Sequence, residues 1–368
     1  MKILEFFGEP ISYGGQESFI VNMYKNYFQN DNFCFFTPFH ADNRELINLA
    51  NNRGDIVYAY GKNFDSRLRK AYIFLAAKRA MKIQYDVIHI HSGSILTLLM
   101  VSSLAKKRGI KKIIVHSHAT GYDSFSHKLI KSISDKLIEN KASLFLACSY
   151  DAGIYKFPEK ILKSDKFQII KNGIDLQSFL YDGDIRIKKR KKLNIKEQKV
   201  LCHVGRFSEE KNHKFIIALF EEYLKLEKTA LLLLVGGAGR TEKEIMTMVS
   251  ERNLSDKVII LKNRKDINEL LCVADVFVFP SRFEGLGISA IEAQANGLPT
   301  ICAEQLPAEL DASSVYIKMS LDEGPKKWAE KVYSVQDNVR VNTYSDLKMA
   351  GYDVSDLAKQ LGRIYREN

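Results

Sequence analysis

Short apolar runs alternate with segments of helical period in two successive series, and this constrains the 368-residue chain more than any other feature. A run of four to eight apolar residues without polar alternation suits a strand buried on both faces, and the helical segments between runs supply the crossovers that parallel strands need. The first series has strand-like runs near 2–7, 33–37, 56–60, 87–91, 113–117, 143–148 and 167–170. Helical patterns lie between them, around 16–29, 65–82, 94–108, 126–140 and 150–156. The pattern then restarts with runs near 199–204, 230–235, 257–261, 275–279, 299–302 and 314–317, separated by helical patterns near 212–227, 241–252, 266–273, 288–296 and 325–336. Two parallel α/β sheets covered by helices are the expected architecture. The charged segment 178–193 between the two series reads as the interdomain connection, with Arg186, Lys188, Lys189, Arg190, Lys191 and Lys192 on a solvated linker or helix face.

Composition excludes several classes. A chain 46% hydrophobic and 27% charged is long enough for two cores. No apolar stretch approaches the roughly 20 residues that span a bilayer, and Glu5 interrupts the N-terminal run as it would not interrupt a secretory signal. Cys34, Cys148, Cys202, Cys272 and Cys302 are odd in number, lack C-x-x-C spacing and read as buried thiols in a reducing cytosol. The net charge of +11 is uneven: residues 1–175 hold 25 Lys and Arg against 16 Asp and Glu. The segment 62–82, with Lys62, Arg67, Arg69, Lys70, Lys78, Arg79 and Lys82, reads as a basic helix with a broad apolar face, suited either to a core or to an anionic lipid surface. Lys106, Lys107, Arg108, Lys111, Lys112, Lys128 and Lys131 extend the excess. No nucleic-acid module or interleaved aromatic platform accompanies it, so nucleic acid is not an expected partner.

The run Phe279 to Pro299 carries the densest chemistry. Glu284 lies in a turn, Gly285 and Gly287 allow backbone N–H groups to approach a ligand, and a helix starting near Ile288 aims its positive end at the same space, an arrangement suited to a phosphate. Glu292, one turn further, is placed to accept two hydrogen bonds as an ionised carboxylate from a vicinal diol such as a ribose. Together these describe a sugar-nucleotide site. Arg206 and Lys211 follow the strand ending at Val204, where a parallel sheet binds its ligands. The glycine loop Gly236-Gly237-Ala238-Gly239 follows another apolar strand but lacks the last glycine of a dinucleotide fingerprint, position 242 being Glu. Asp182-Gly183-Asp184 has a D-x-D form, yet it sits in the connector rather than at a strand tip, which argues against a metal site. His116 and His118 share one strand face, and His91 closes the preceding strand-like run as a polar residue beneath the ligand space.

On these residues the chain resembles the retaining GT-B glycosyltransferases of family four, which include many bacterial capsule and exopolysaccharide enzymes. Gly14-Gly15-Gln16-Glu17 looks like that family's N-terminal glycine loop, Lys171-Asn172-Gly173-Ile174-Asp175 like the close of its first domain, and His203 to His213 like its phosphate-binding stretch. Leu234 to Gly239 and Phe279 to Pro299 are similar to two further family segments in the same order. The resemblance implies two Rossmann-like domains facing across a cleft, 1–177 plus about 352–368 and 178–351, with a last helix near 355–366 returning to the first.

For function the resemblance implies a nucleoside-diphosphate sugar donor, UDP-linked, held by Arg206, Lys211, Glu284, Gly285, Leu286, Gly287 and Glu292. Asn263 and Arg264 would lie near the base, Arg264 being equally readable as an exposed loop side chain. Gly15 and His118 would come from the first domain, His118 at the 6-hydroxyl region of the sugar. Arg206 and Lys211 would replace a divalent metal, so neither metal nor cofactor is expected. The implied acceptor is a saccharide on a polyprenyl diphosphate, and the implied place is the cytoplasm, peripheral to the inner face of the membrane. The rival readings are a sugar-nucleotide 2-epimerase of the same architecture and a nonenzymatic GT-B partner subunit.

Overall fold

The structure, a computed structural model, describes residues 1–61, 69–118 and 137–367. Lys62, Arg67, Lys128, Lys131 and most of the helical pattern 126–140 lie outside the described residues. Two compact units emerge: Met1–Ile174 with the chain from Asp353 onward, and Asp175–Tyr352. The expected boundaries at 177/178 and 351/352 therefore move to 174/175 and 352/353. Asp175 causes the first shift, because its carboxylate accepts the Ser178 N–H and caps the short turn Leu176–Phe179, which packs on the second unit's helix Ile288–Ala295. The second follows from Tyr352, fully buried, whose hydroxyl donates to the Glu309 carbonyl.

The first unit holds β1 (Lys2–Phe7), β2 (Asn32–Thr37), β3 (Ile56–Ala59), β4 (Val87–His91), β5 (Lys112–Ser117), β6 (Leu144–Ala147) and β7 (Phe167–Ile169). They form one parallel sheet in the order β3-β2-β1-β4-β5-β6-β7. β1 and β4 are buried along almost their whole length, as continuous apolar runs require of a strand covered on both faces. The second unit holds β8 (Val200–Val204), β9 (Leu231–Gly236), β10 (Val258–Lys262), β11 (Val276–Phe279), β12 (Thr300–Ala303) and β13 (Tyr316–Met319), parallel in the order β10-β9-β8-β11-β12-β13. Each sheet reverses its winding beside its first strand, between β1 and β4 and between β8 and β11. Such a reversal opens a crevice at the carboxyl ends of the strands. All five cysteines are buried, and among the described residues none forms a disulfide.

The helix Val354–Arg366 belongs to the first unit. Asp353 caps it by accepting the N–H groups of Ser355 and Asp356. Leu357, Leu361, Ile364 and Tyr365 recur at helical spacing and join one core with Phe19, Tyr24, Phe33 and Ile114. Burying each aliphatic member contributes about 1.5–3 kcal/mol, so this face holds the helix in place.

Of the two readings, solvated linker or helix face, the segment 183–192 takes the helix, but not all of its cations are solvated. Asp182 accepts the Ile185 N–H and caps a helix, Gly183–Lys192, that packs on Ile267–Val273. Arg186 donates to the carbonyls of Cys272, Val273 and Ala274 and pairs with Asp275 at 2.7 Å. Arg190 reaches the Val273 carbonyl at 2.8 Å, and Lys189 bridges Asp266 and Glu269. Arg186 and Arg190 hold the last carbonyls of a neighbouring helix, where the dipole favours positive charge, while Lys189 pairs with carboxylates at that helix's start. Lys188, Lys191 and Lys192 are exposed as expected. The helix Arg44–Arg53 is a further element that the sequence pattern does not show, since only Leu46 and Ala50 of its ten residues are buried.

Candidate functional site

Three strand-end loops of the second unit are joined into one surface. The loop after β8 is tied to the end of β9 through Gly205 N–H to the Val235 carbonyl, at 2.9 Å, and to the loop after β9 through Thr241 N–H to the Phe207 carbonyl, at 3.1 Å. It is tied to the loop after β11 through Arg282 N–H to the Glu210 carbonyl, at 2.8 Å, and the Asn212 amide to the Pro280 carbonyl, at 3.1 Å. Gly236 permits the first junction: a Cβ there would stand 2.0 Å from the Gly205 carbonyl oxygen. Gly287 opens the helix Ile288–Ala295 at φ +94, a left-handed conformation that side chains resist, with Phe279 and Leu310 already against it. Gly236 thus holds two loops in register, and Gly287, expected to admit a ligand, also sets the start of the helix.

Lys211 and Glu284 meet at this surface. Lys211 Nζ lies 2.6 Å from Glu284 Oε1, with both side chains mostly buried, and 4.7 Å from the centre of the Phe279 ring. An ammonium fixed by a carboxylate on one side and an aromatic face on another keeps N–H groups for a further anion. Arg206 is exposed, and among the described residues no carboxylate lies within ion-pair distance of its guanidinium. Gly237 sits between Arg206 and Asn263, within about 4 Å of both side chains from its Cβ position.

Glu292 departs from expectation. It is only partly exposed, and burial pushes its carboxyl up to about 8 while Lys211 pulls the other way. The ionised diol acceptor is, near neutral pH and without ligand, mostly a neutral acid. Arg264 is also not a free loop side chain: it forks onto Asp266, which Lys189 shares. Asn263 is exposed in a left-handed conformation, φ +51, and its N–H donates to the Gly236 carbonyl. Leu286 is buried. A recess of about 590 Å³, lined by Arg186, Arg190, Lys191 and Asp275 among others, contains none of the expected site residues.

In the first unit Gly15 opens the helix Gly15–Lys25, and its carbonyl accepts the Asn172 amide at 3.4 Å. His118 stands just beyond β5 in a cluster that the sequence reading only half saw. The register pairs Glu5 with His89, Phe7 with His91, and His91 with His116, so these side chains share one face of the sheet. His91 Nδ1 is 2.8 Å from His118 Nε2, and His91 Nε2 is 2.7 Å from Glu5 Oε2. The Tyr365 hydroxyl donates to Glu5 Oε1 at 2.8 Å. His89 links Tyr365, at 2.8 Å, to His116, at 3.1 Å. Phe19 packs on His116 and His118, with ring centres about 5 Å away. Glu5 and Tyr365 escaped the sequence reading, although a lone carboxylate inside a fully apolar strand was a usable signal.

Two family descriptions divide the chain between them. Residues 13–178 match Glycosyltransferase Family 4, and residues 185–316 match Glycosyl transferases group 1. The chain is a GT-B glycosyltransferase of family four. This glycosyltransferase is 27% identical to the putative glycosyltransferase EpsF of Bacillus subtilis over 87% of its own length and 84% of the relative's. It is also 27% identical to the UDP-Gal:alpha-D-GlcNAc-diphosphoundecaprenol alpha-1,3-galactosyltransferase of Escherichia coli, over 61% of this chain and 59% of that one. The glycosyltransferase shares its fold with Anabaena HepE, solved with UDP and glucose, at a TM-score of 0.77 and 18% identity over 99% of both chains.

Proposed function

We propose that this glycosyltransferase is a retaining, metal-independent enzyme that moves a hexose from a UDP-linked donor to a polyprenyl-diphosphate-linked saccharide in surface-polysaccharide synthesis. One observation carries the donor half: Lys211 and Glu284 join the loops of β8 and β11, the two strands flanking the winding reversal, beside a glycine-opened helix. Arg206 and Lys211 bind the diphosphate, the amides of Gly285 to Gly287 assist, and Glu292 takes the ribose. His118 contacts a hydroxyl of the transferred sugar. The bond from the anomeric carbon to the diphosphate breaks, the acceptor oxygen bonds to that carbon on the same face, and the departing phosphate oxygen takes the acceptor proton. Catalysis comes from positioning and charge stabilisation, a single fixed cation contributing about 3 kcal/mol.

Metal independence is supported by Asp182, whose carboxylate serves as a helix cap. The UDP assignment is supported by the nucleotide bound to Anabaena HepE and by the donor in the name of the E. coli relative, and that relative's name also supports a lipid-linked acceptor.

Among the described residues no helix is long and apolar enough to cross a membrane. Peripheral association is supported by the helix Arg69–Ala80, which buries Ile73, Ala76 and Ala77 but exposes Phe74, Leu75, Lys78 and Arg79, with Lys82 and Ile83 following. Arg69 lies over the Phe39 ring and Lys70 bonds Ser94, so the lipid-facing set is the exposed one.

The test is a thermal-shift comparison of UDP-, GDP- and ADP-sugars followed by turnover on lipid-linked saccharides. UDP-sugars should stabilise most and transfer should require the acceptor. A larger shift with a GDP-sugar would replace the base assignment, and epimerised sugar released from donor alone would replace transfer by epimerisation.

A further inference from the structure

The hydrogen-bond chain Glu5–His91–His118 fixes where each proton sits. Burial would raise the Glu5 carboxyl, but His89 and His91 hold it well below the usual carboxylate range, so it is ionised and can only accept. The Tyr365 hydroxyl and His91 Nε2 must therefore both donate to it. Burial, with His89 adding to it, pushes His91 down to about 4 against the pull of Glu5, leaving a neutral ring with one proton. That proton is on Nε2, so Nδ1 carries a lone pair and His118 Nε2 must donate to it. Burial also drives His118 well below the ordinary histidine range. Its single proton is then on Nε2, and its Nδ1, buried and without a partner among the described residues, is a bare acceptor.

We propose that Glu5 and His91 are positioning residues that lock His118 as the neutral Nε2–H tautomer, so that its Nδ1 accepts a hydrogen bond from a substrate hydroxyl. The inference rests on the reading of His118 as a sugar contact and adds a chemical restriction to it. A bare imidazole nitrogen recognises O–H groups and repels phosphate oxygens, which offer only lone pairs. His118 is thereby set to read the saccharide and not the diphosphate. Tyr365 secures the other end of the relay by occupying the second Glu5 oxygen, which keeps the carboxylate from rotating away from His91. The same lattice accounts for the close approach of His89, His91 and His116, whose ligating atoms lie within 4.8 Å of one another. Both nitrogens of His89 and of His91 are engaged by neighbours, so the cluster is organised by hydrogen bonds and not as a cation cage.

The full chain labelled with 15N-histidine allows a direct test, since long-range 1H–15N correlation spectra distinguish the two neutral tautomers and the imidazolium. His91→Asn and His118→Asn supply the assignments. At pH 7 both rings should appear as neutral Nε2–H forms. Glu5→Gln keeps the shape of the buried side chain but can turn its amide toward His91. It should shift both rings at least partly to the Nδ1–H form and lower kcat about tenfold or more, with a smaller change in donor KM. Wild-type His118 found as imidazolium or as the Nδ1–H form would overturn the proposal, as would tautomers unmoved in folded Glu5→Gln. If the tautomers move as expected but His118→Asn turns over at the wild-type rate, the relay exists without a substrate role. That result refutes the reading of His118 itself.

Discussion

Replacing Glu292 by Gln should stabilise the fold by an amount that grows with pH. In the unfolded chain this carboxyl ionises near 4.5, whereas in the folded chain burial pushes it up to about 8. The folded state holds a proton that the unfolded state releases, so stability from this group is complete below 4.5 and is lost as pH rises through about 8. At pH 7 the gap covers about 2.5 pH units, and at about 1.36 kcal/mol per unit the upper limit is about 3 kcal/mol. The side chain is partly exposed, so solvent screening reduces this to about 1–2 kcal/mol. Glutamine has nearly the same shape and no ionisation to suppress, and it escapes the penalty. Thermal unfolding of both proteins at pH 5, 6, 7 and 8 measures the difference. A unit of this size should gain about 2–8 °C at pH 7 and little at pH 5. An equal difference at all four pH values, or a variant less stable than wild type at pH 7, would refute the assignment of a proton to Glu292. The same carboxyl must ionise to accept both ribose hydroxyls, so wild-type affinity for UDP should rise between pH 7 and 9, and that of Glu292→Gln should be weaker and flat.

Arg206→Ala and Lys211→Ala should each lower kcat by about 10²–10³ with unchanged circular dichroism, an expectation drawn from the loss of one fixed charge donor; near wild-type turnover would remove them from the diphosphate. Turnover should persist in a chelator, and a loss restored by magnesium or manganese would reverse the metal-free reading. Flotation with anionic vesicles should show salt-sensitive binding that weakens when Lys78, Arg79 and Lys82 are neutralised or when Phe74 and Leu75 become serine, and equal recovery on neutral vesicles would refute an electrostatic contribution. Gly236→Ala should destabilise the second unit by more than about 2 kcal/mol, measured by urea unfolding, because the Gly205 carbonyl occupies the space of the new methyl group.

The strands were legible because parallel strands covered on both faces have few polar residues to confuse the pattern, and each begins and ends within two residues of its apolar run. The segment of helix Gly183–Lys192 read as a solvated linker or helix face because its cations dominate its sequence, and only tertiary contacts reveal that Arg186 and Arg190 are bound to a neighbouring helix end. Within the site, spacing located Lys211 and Glu284 but not their pairing, which depends on two strands far apart in sequence lying side by side. Arg264 looked available because its partner Asp266 is two residues away and the intervening turn, not the sequence, brings them together. Glu5 was visible as an anomaly in β1, yet its meaning needed β4 and the residues near position 365.

The core of the first unit joins Phe19 and Ile20 to Leu357, Leu361 and Tyr365, and Glu5 bonds a hydroxyl 360 positions away. On a ribosome the second unit, Asp175–Tyr352, can therefore close while the first still lacks a wall of its core. The order of completion can then reverse the order of synthesis, because the earlier half gains the last wall of its core only with the helix Val354–Arg366. A chain halted after Tyr352 would keep the donor-side loops intact while leaving the histidine relay without Tyr365, so the two halves of the machinery should fail separately under truncation.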